Sequence, residues 1–147
     1  MIPLLAAGVD LVTASPYHAR GEVRNVPRWR LALSRGASFL YRRVLGHKLA
    51  TYTSCFRVYR RSVVAPLQLD EAGFLGVAEL LGKLDVQGAR IVEHPATLEV
   101  RIFGQSKMRV LGAMLGHLRL LGRLALLRLV RKAGLGVAAH HTPSGVL

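Results

Sequence analysis

The sequence predicts an α/β protein, and three observations carry that prediction. Short apolar or alternating segments of strand type are interleaved with longer stretches whose apolar residues recur at helical spacing. Hydrophobic residues make up 51% of the 147, enough to fill the core of one modest domain and too short a chain for two. Glycine and proline fall where one kind of segment gives way to the next, as at Gly88 and Pro95.

Taken in order, residues 2–8 suit a short helix with Pro3 in its first turn, where a missing N–H is no loss. Residues 9–13 are a short apolar strand running into a polar loop. Residues 15–27 hold two prolines, a glycine, a histidine and two arginines without periodicity, which predicts an exposed basic loop able to line a site. Residues 29–45 read as a helix with Trp29, Leu33, Phe39, Leu40 and Val44 roughly on one face and Arg28, Arg35, Arg42 and Arg43 mostly off it. Residues 51–59 alternate polar and bulky side chains and read as a strand, and 62–67 as one helical turn limited by Pro66. Helical spacing returns over 73–86 through Phe74, Val77, Leu80, Leu81 and Leu84, with Gly88 as the stop. Residues 91–95 and 97–102 are two strand candidates, followed by a loop over 104–107. A basic, apolar helix over 108–133 and a disordered tail over 134–147 complete the chain.

Charge narrows the partners without choosing one. Lys and Arg number 21 against 8 Asp and Glu, a formal net charge of +13, so the surface must face nucleic acid, an acidic membrane or phosphate-bearing substrates. Cys55 is the single cysteine, which excludes an internal disulfide and reads as a small core residue. No signal-peptide layout opens the chain, so a cytosolic face is the default. Arg119, Arg123 and Arg128 interrupt the best apolar run before it reaches bilayer-spanning length. The only paired histidines, His140 and His141, fall in the tail, and no metal site is expected.

Four segments, in order, carry a resemblance. Val12-Thr13-Ala14-Ser15-Pro16-Tyr17 resembles a strand end of the type Gly-Ser-Arg-Tyr, and Trp29-Arg30-Leu31-Ala32-Leu33-Ser34-Arg35-Gly36-Ala37 is similar to Trp-Arg-x-x-x-Ser-Arg-Gly-Ala. Thr53-Ser54-Cys55-Phe56-Arg57-Val58-Tyr59-Arg60-Arg61 resembles Thr-Ser-Gly-Phe-Arg-x-Tyr-Arg-Arg, and Arg101-Ile102-Phe103-Gly104-Gln105-Ser106-Lys107-Met108 resembles Arg-x-x-Gly-Glu-Ser-Lys-Leu. Together they resemble the dolichol-phosphate or polyprenyl-phosphate glycosyltransferases of glycosyltransferase family 2, over about residues 2–110.

The resemblance implies an incomplete GT-A, Rossmann-like fold over residues 1–107, with the nucleotide-binding half expected to be missing and the chain starting just after the Asp-x-Asp motif. It implies a nucleotide-sugar donor, a polyprenyl-phosphate acceptor and Mg²⁺ or Mn²⁺ in the complete enzyme, none of it bound by this chain alone. This chain by itself is then expected to be inactive. Peripheral attachment to the cytoplasmic membrane face follows from a lipid substrate. Arg30 and Ser34 match the acceptor-phosphate positions, and Arg101, Ser106 and Lys107 the turn that closes over the donor diphosphate. Pro16 stands where the family has arginine, Cys55 where it has glycine, and Thr51-Tyr52 where it often has Asp-Pro. Arg20 or Arg24, in the 15–27 loop, is the candidate to restore the charge absent at Pro16.

The chemistry agrees with that residue set. An acceptor phosphate is already an anionic nucleophile, so transfer needs placed cations more than a base. Arg30 and Ser34, four apart on a helix, share a face and can grip one phosphate, although a solvated Arg beside a surface Ser has the same spacing. Ser106 also reads as the N-cap of the last helix. Phe56, Arg57 and Tyr59 read as core packing with a strand-edge arginine, and Glu79 as a buried carboxylate paired with a nearby arginine. In the last helix Leu111, Met114, Leu115, Leu118 and Leu129 share a sector, with Arg109, Arg119, Arg123 and Arg131 largely opposite. That pattern suits a membrane-interface helix, while Leu120, Leu124 and Leu127 suit a core-packing one. Two other classes stay open: a basic nucleic-acid-binding module, resting on charge alone against 6% aromatics and no recognisable binding motif, and a non-catalytic membrane- or subunit-binding fragment.

Overall fold

The computed structural model describes residues 1–99 and 110–133. Its elements run α1 (Ile2–Ala6), β1 (Leu11–Ser15), β2 (Glu22–Arg24), α2 (Arg28–Val44), β3 (Arg57–Tyr59), α3 (Arg61–Val64), α4 (Gly73–Gln87), β4 (Ile91–Pro95), β5 (Thr97–Glu99) and α5 (Val110–Lys132). Helices and strands alternate, as the sequence predicts for an α/β protein. No helix among the described residues is long and apolar enough to cross a membrane.

β1 lies at the centre of a three-stranded sheet and every one of its residues is buried, which is why it reads as an unbroken short run rather than an alternating one. β3 pairs with it antiparallel, Leu11 opposite Tyr59, and β4 pairs parallel, Leu11 opposite Ile91 and Ser15 opposite Pro95. At Ala96 the chain leaves this sheet: the Ala96 amide donates to Ser15 O, and Ala96 O accepts from the Glu22 amide. That junction begins a second, parallel ribbon of β2 and β5, with Glu22 opposite Thr97. β2 therefore occupies part of the loop predicted over 15–27. Three residues are too few to leave a periodic signal, and only the partner strand makes them a strand.

The predicted strand over 51–59 contracts to β3. Before it, side chains replace the ladder: the Glu93 carboxylate accepts from the amides of Ala50 and Thr51, at 2.8 and 3.0 Å, and Ser38 Oγ accepts from the Tyr52 amide. Tyr52 stacks on Tyr41, ring centroids 5.4 Å apart, and both are fully buried beside Leu45, Leu81, Leu84, Leu120 and Leu124. Arg57 is tied to the carbonyls of Tyr52 and Val77 and to Thr13 Oγ1, so it braces the strand edge from within. Burial pulls its pKa below the usual arginine value.

Several sequence expectations are corrected. Phe56 and Cys55 are exposed, not core residues, because the 51–56 segment turns its later side chains outward as it approaches the sheet edge. Glu79 is fully buried, but its close partners are Lys83 Nζ at 2.8 Å and the amides of Asp70 and Glu71; Arg123 lies 3.9 Å away and instead pairs with Asp70 and Glu71. The apolar face read for α2 is only partly turned inward, with Leu33 and Val44 half-buried and Val44 packed on the core. Its buried residues are Ser38 and Tyr41, while Trp29, Phe39 and Leu40 are exposed.

α5 packs across α2 and α4 through Leu120, Leu121 and Leu124. The close approach requires Gly82, where an added Cβ would overlap the Leu124 side chain. Two of the arginines placed opposite the apolar sector, and Arg128 with them, anchor the helix: Arg123 to Asp70 and Glu71, Arg128 to Val44 O, and Arg131 to Val86 O. The last two cap the C-terminal carbonyls of α2 and α4, which those helices leave unpaired. Leu111, Leu115, Leu118, Leu126 and Leu129 lie exposed on the other side of α5.

Candidate functional site

The C-terminal ends of the parallel strands β1 and β4 open into a cavity of about 1340 Å³, touched by Ala14 near the end of β1, by Pro16 just after it and by Ala96 just after β4. Open α/β sheets place ligands there because the strands stop and the following loops diverge. Its walls are α2, the 51–56 segment, β5 and the first half of α5, and they are mostly apolar. Such a space takes an apolar chain, and its few polar groups fix orientation.

Several of those polar groups come from α2 and the 51–56 segment. Arg30 and Ser34 both line the cavity, as the sequence pairing requires. Ser34 Oγ lies 2.6 Å from Thr53 Oγ1, so two hydroxyls stand side by side. Arg30 extends along the Trp29 ring, 5.2 Å from its centroid, and among the described residues no carboxylate pairs with it. A cation with free donors beside two hydroxyls can hold a phosphate monoester oxygen by oxygen. Thr53 was not singled out from the sequence, although it lies in the third motif quoted above.

Deeper along the same wall, Tyr41 Oη and His117 Nδ1 are 2.9 Å apart, joining α2 to α5. Burial lowers the His117 pKa and raises that of Tyr41, so both are neutral at pH 7. His117 also lines the cavity and meets Phe74 edge to face. Nothing in the sequence marks it, since a single histidine on an apolar helix carries no spacing signal.

The remaining candidates divide. Pro16 lines the cavity and supplies no charge. Arg20 is exposed on the loop after β1, and Arg24 is held by Glu22 through two hydrogen bonds of 2.8 and 2.9 Å; neither lines the cavity. Cys55 does line it, but partial desolvation raises its thiol pKa, which disfavours the nucleophilic thiolate. Arg101, Ser106 and Lys107 lie outside the described residues. Among the described residues no three His, Cys, Asp or Glu side chains gather to hold a metal ion, so no donor set for Mg²⁺ or Mn²⁺ is present there.

Over 111 residues, 74% of this chain, it is 35% identical to a polyprenol monophosphomannose synthase of Mycolicibacterium smegmatis, covering 42% of that protein. It is 31% identical over 111 residues to a dolichol-phosphate mannosyltransferase of Pyrococcus furiosus, covering 31% of it. It is 32% identical over 102 residues to an undecaprenyl-phosphate mannosyltransferase of Micrococcus luteus, covering 42%. The chain thus spans less than half the length of these curated relatives. No family model matches it. These similarities support a glycosyltransferase family for the chain.

Proposed function

We propose that this chain is the acceptor-binding part of a family 2 glycosyltransferase of GT-A type, one that transfers a sugar, on the relatives' names mannose, from a nucleotide-sugar to a polyprenyl phosphate. The observation that carries the reading is that Arg30, Ser34 and Thr53 all line a mostly apolar cavity, with the Ser34 and Thr53 hydroxyls 2.6 Å apart. The prenyl chain lies along the apolar walls and its phosphate meets the cation and the hydroxyls. In the transfer, a phosphate oxygen forms the bond to the anomeric carbon as the bond from that carbon to the nucleoside diphosphate breaks. No proton has to be removed, so the protein's task is to hold two anions close and to screen their repulsion.

Arg101, Ser106 and Lys107 are proposed for the donor diphosphate. Arg20 is the remaining candidate for the charge absent at Pro16, because Arg24 is engaged by Glu22. The Mg²⁺ or Mn²⁺ ion is proposed for the complete enzyme, and no step here runs through it. We further propose that the exposed leucines of α5 rest on an anionic membrane surface at its cytoplasmic face, where the acceptor lipid resides. A nucleic-acid module is disfavoured: Arg57, Arg128 and Arg131 are spent on backbone carbonyls and Arg123 on carboxylates.

Calorimetric titration of the chain with geranyl phosphate, geraniol and inorganic phosphate tests the site. Binding should require both the prenyl chain and the phosphate. Arg30→Gln should weaken it about tenfold and Ser34→Ala several-fold, given the strength of hydrogen bonds to charged groups. Equal affinity of both variants and the parent for geranyl phosphate would remove the site from Arg30 and Ser34.

A further inference from the structure

We infer that Glu93 is a positioning residue of the acceptor site: from β4 it holds the backbone ahead of Thr53, so that the Thr53 hydroxyl stands beside Ser34. This rests on the acceptor site proposed above and assigns to it a residue that does not line the cavity.

Thr53 has no regular structure to place it. Residues 50–53 belong to no helix or strand, and among the described residues no backbone-to-backbone hydrogen bond ties them down. A segment of that kind samples many positions unless side chains fix its polar groups. Here they do. The Glu93 carboxylate accepts from the Ala50 amide on one oxygen at 2.8 Å and from the Thr51 amide on the other at 3.0 Å. Ser38 Oγ then accepts from the Tyr52 amide at 3.1 Å, and Arg57 donates to Tyr52 O at 2.7 Å, so the residue that leads into Thr53 is held at both its amide and its carbonyl.

Among these partners Glu93 is the one that comes from the parallel sheet edge. β4 pairs with β1 in a register that sets Thr13 opposite Glu93, which puts both side chains on one face. There Thr13 Oγ1 accepts from Arg57, the same arginine that holds Tyr52 O. One row of the sheet thus supports the segment, and α2 holds it through Ser38 and Ser34.

The arrangement requires a carboxylate. Two consecutive amides present two donors, and an ionised carboxyl offers an acceptor oxygen to each. Glutamine keeps one oxygen and turns an NH₂ donor toward the other amide, so one bond is lost and two donors oppose each other. The length of the side chain is unchanged, so Glu93→Gln tests the clamp and not the packing. Asp85 supplies the comparison: its carboxylate accepts from the amides of Gly46 and His47, at 2.7 and 2.8 Å, earlier in the same connection and away from the cavity wall.

Two measurements on the intact 147-residue chain test the inference. The Ser34 and Thr53 hydroxyls are close enough for thiols in their places to join. With Ser34→Cys and Thr53→Cys in a Cys55→Ser background, copper phenanthroline should close the disulfide readily, and Glu93→Gln should slow closure several-fold. Asp85→Asn should lower the urea midpoint and leave the closure rate as it is. In the chain that keeps both hydroxyls, Glu93→Gln should weaken geranyl phosphate binding about fivefold, and in a Thr53→Val background it should add no further loss. A closure rate that Glu93→Gln leaves unchanged, or that Asp85→Asn slows equally, would overturn the inference. A full fivefold loss in the Thr53→Val background would mean that Glu93 acts by another route and would overturn it as well. A parent chain that binds no geranyl phosphate would sink the function proposed above, while closure slowed by Glu93→Gln alone would still support the placement of Thr53 by Glu93.

Discussion

His117 shows how a single side chain can join the site to the stability of the fold. Its ring is nearly buried, bonded to Tyr41 Oη at 2.9 Å and packed on Phe74, and burial lowers its pKa. Protonation is therefore easier in the unfolded chain than in the folded one. Where the unfolded state binds the extra proton, stability rises with pH. The contribution is full above the ordinary histidine pKa of about 6.5 and is lost as pH falls through the lowered value. Urea midpoints should consequently drop between about pH 7.5 and pH 5, and His117→Gln should flatten part of that drop. Parallel pH profiles for parent and variant would assign the acid sensitivity to another group. Of this neighbourhood the sequence showed only the two outer residues, Arg30 and Ser34, because a four-residue helical interval is a local fact. Thr53 reaches Ser34 across 19 positions and His117 reaches Tyr41 across 76, and no periodicity encodes such distances.

At the level of elements, the helices were legible where periodicity, a proline or a stop residue marked them. α4 runs as expected and ends at Gly88, whose φ of 83° suits a left-handed cap. β2 was missed and β3 overestimated for one reason: three-residue strands are defined by their partners, and alternation in 51–56 came from side chains that tie down a loop. α2 lies where its periodicity predicts, but its deepest residues are Ser38 and Tyr41, because buried hydroxyls that find hydrogen-bond partners can replace apolar side chains at a helix contact. The contact of α4 with α5 gives a direct test of the packing. Gly82→Ala would drive a methyl into the fully buried Leu124 side chain, and overpacking of this kind costs about 1–3 kcal/mol. Leu124→Val should recover part of that loss, read as coupling in a double-mutant cycle of urea unfolding. Additive effects would mean that the two helices are not in the close approach described.

For the whole molecule the question is what the net charge of +13 is for. Charge alone leaves nucleic acid, membrane and phosphate substrates equally open, and the fold adds which cations are occupied. Arg57 braces a strand edge, Arg128 and Arg131 cap helix ends, and Arg123 joins α5 to the 70–71 loop. Arg28, Arg30, Arg35, Arg42 and Arg43 remain on one helix beside exposed aromatic and aliphatic side chains. A surface of that kind draws on two forces with different salt responses: attraction between charges is screened over about 8–10 Å at physiological ionic strength, whereas apolar burial is not. Binding to anionic vesicles should therefore weaken between about 0.1 and 0.5 M NaCl and level off at a measurable partition coefficient. Binding to duplex DNA, which rests on counterion release, should fall steeply and continuously over the same range. Flotation of the chain with vesicles, beside a filter-binding series on DNA, distinguishes the two slopes. If vesicle binding falls as steeply as DNA binding and reaches zero, the exposed apolar residues contribute nothing and the surface acts by charge alone.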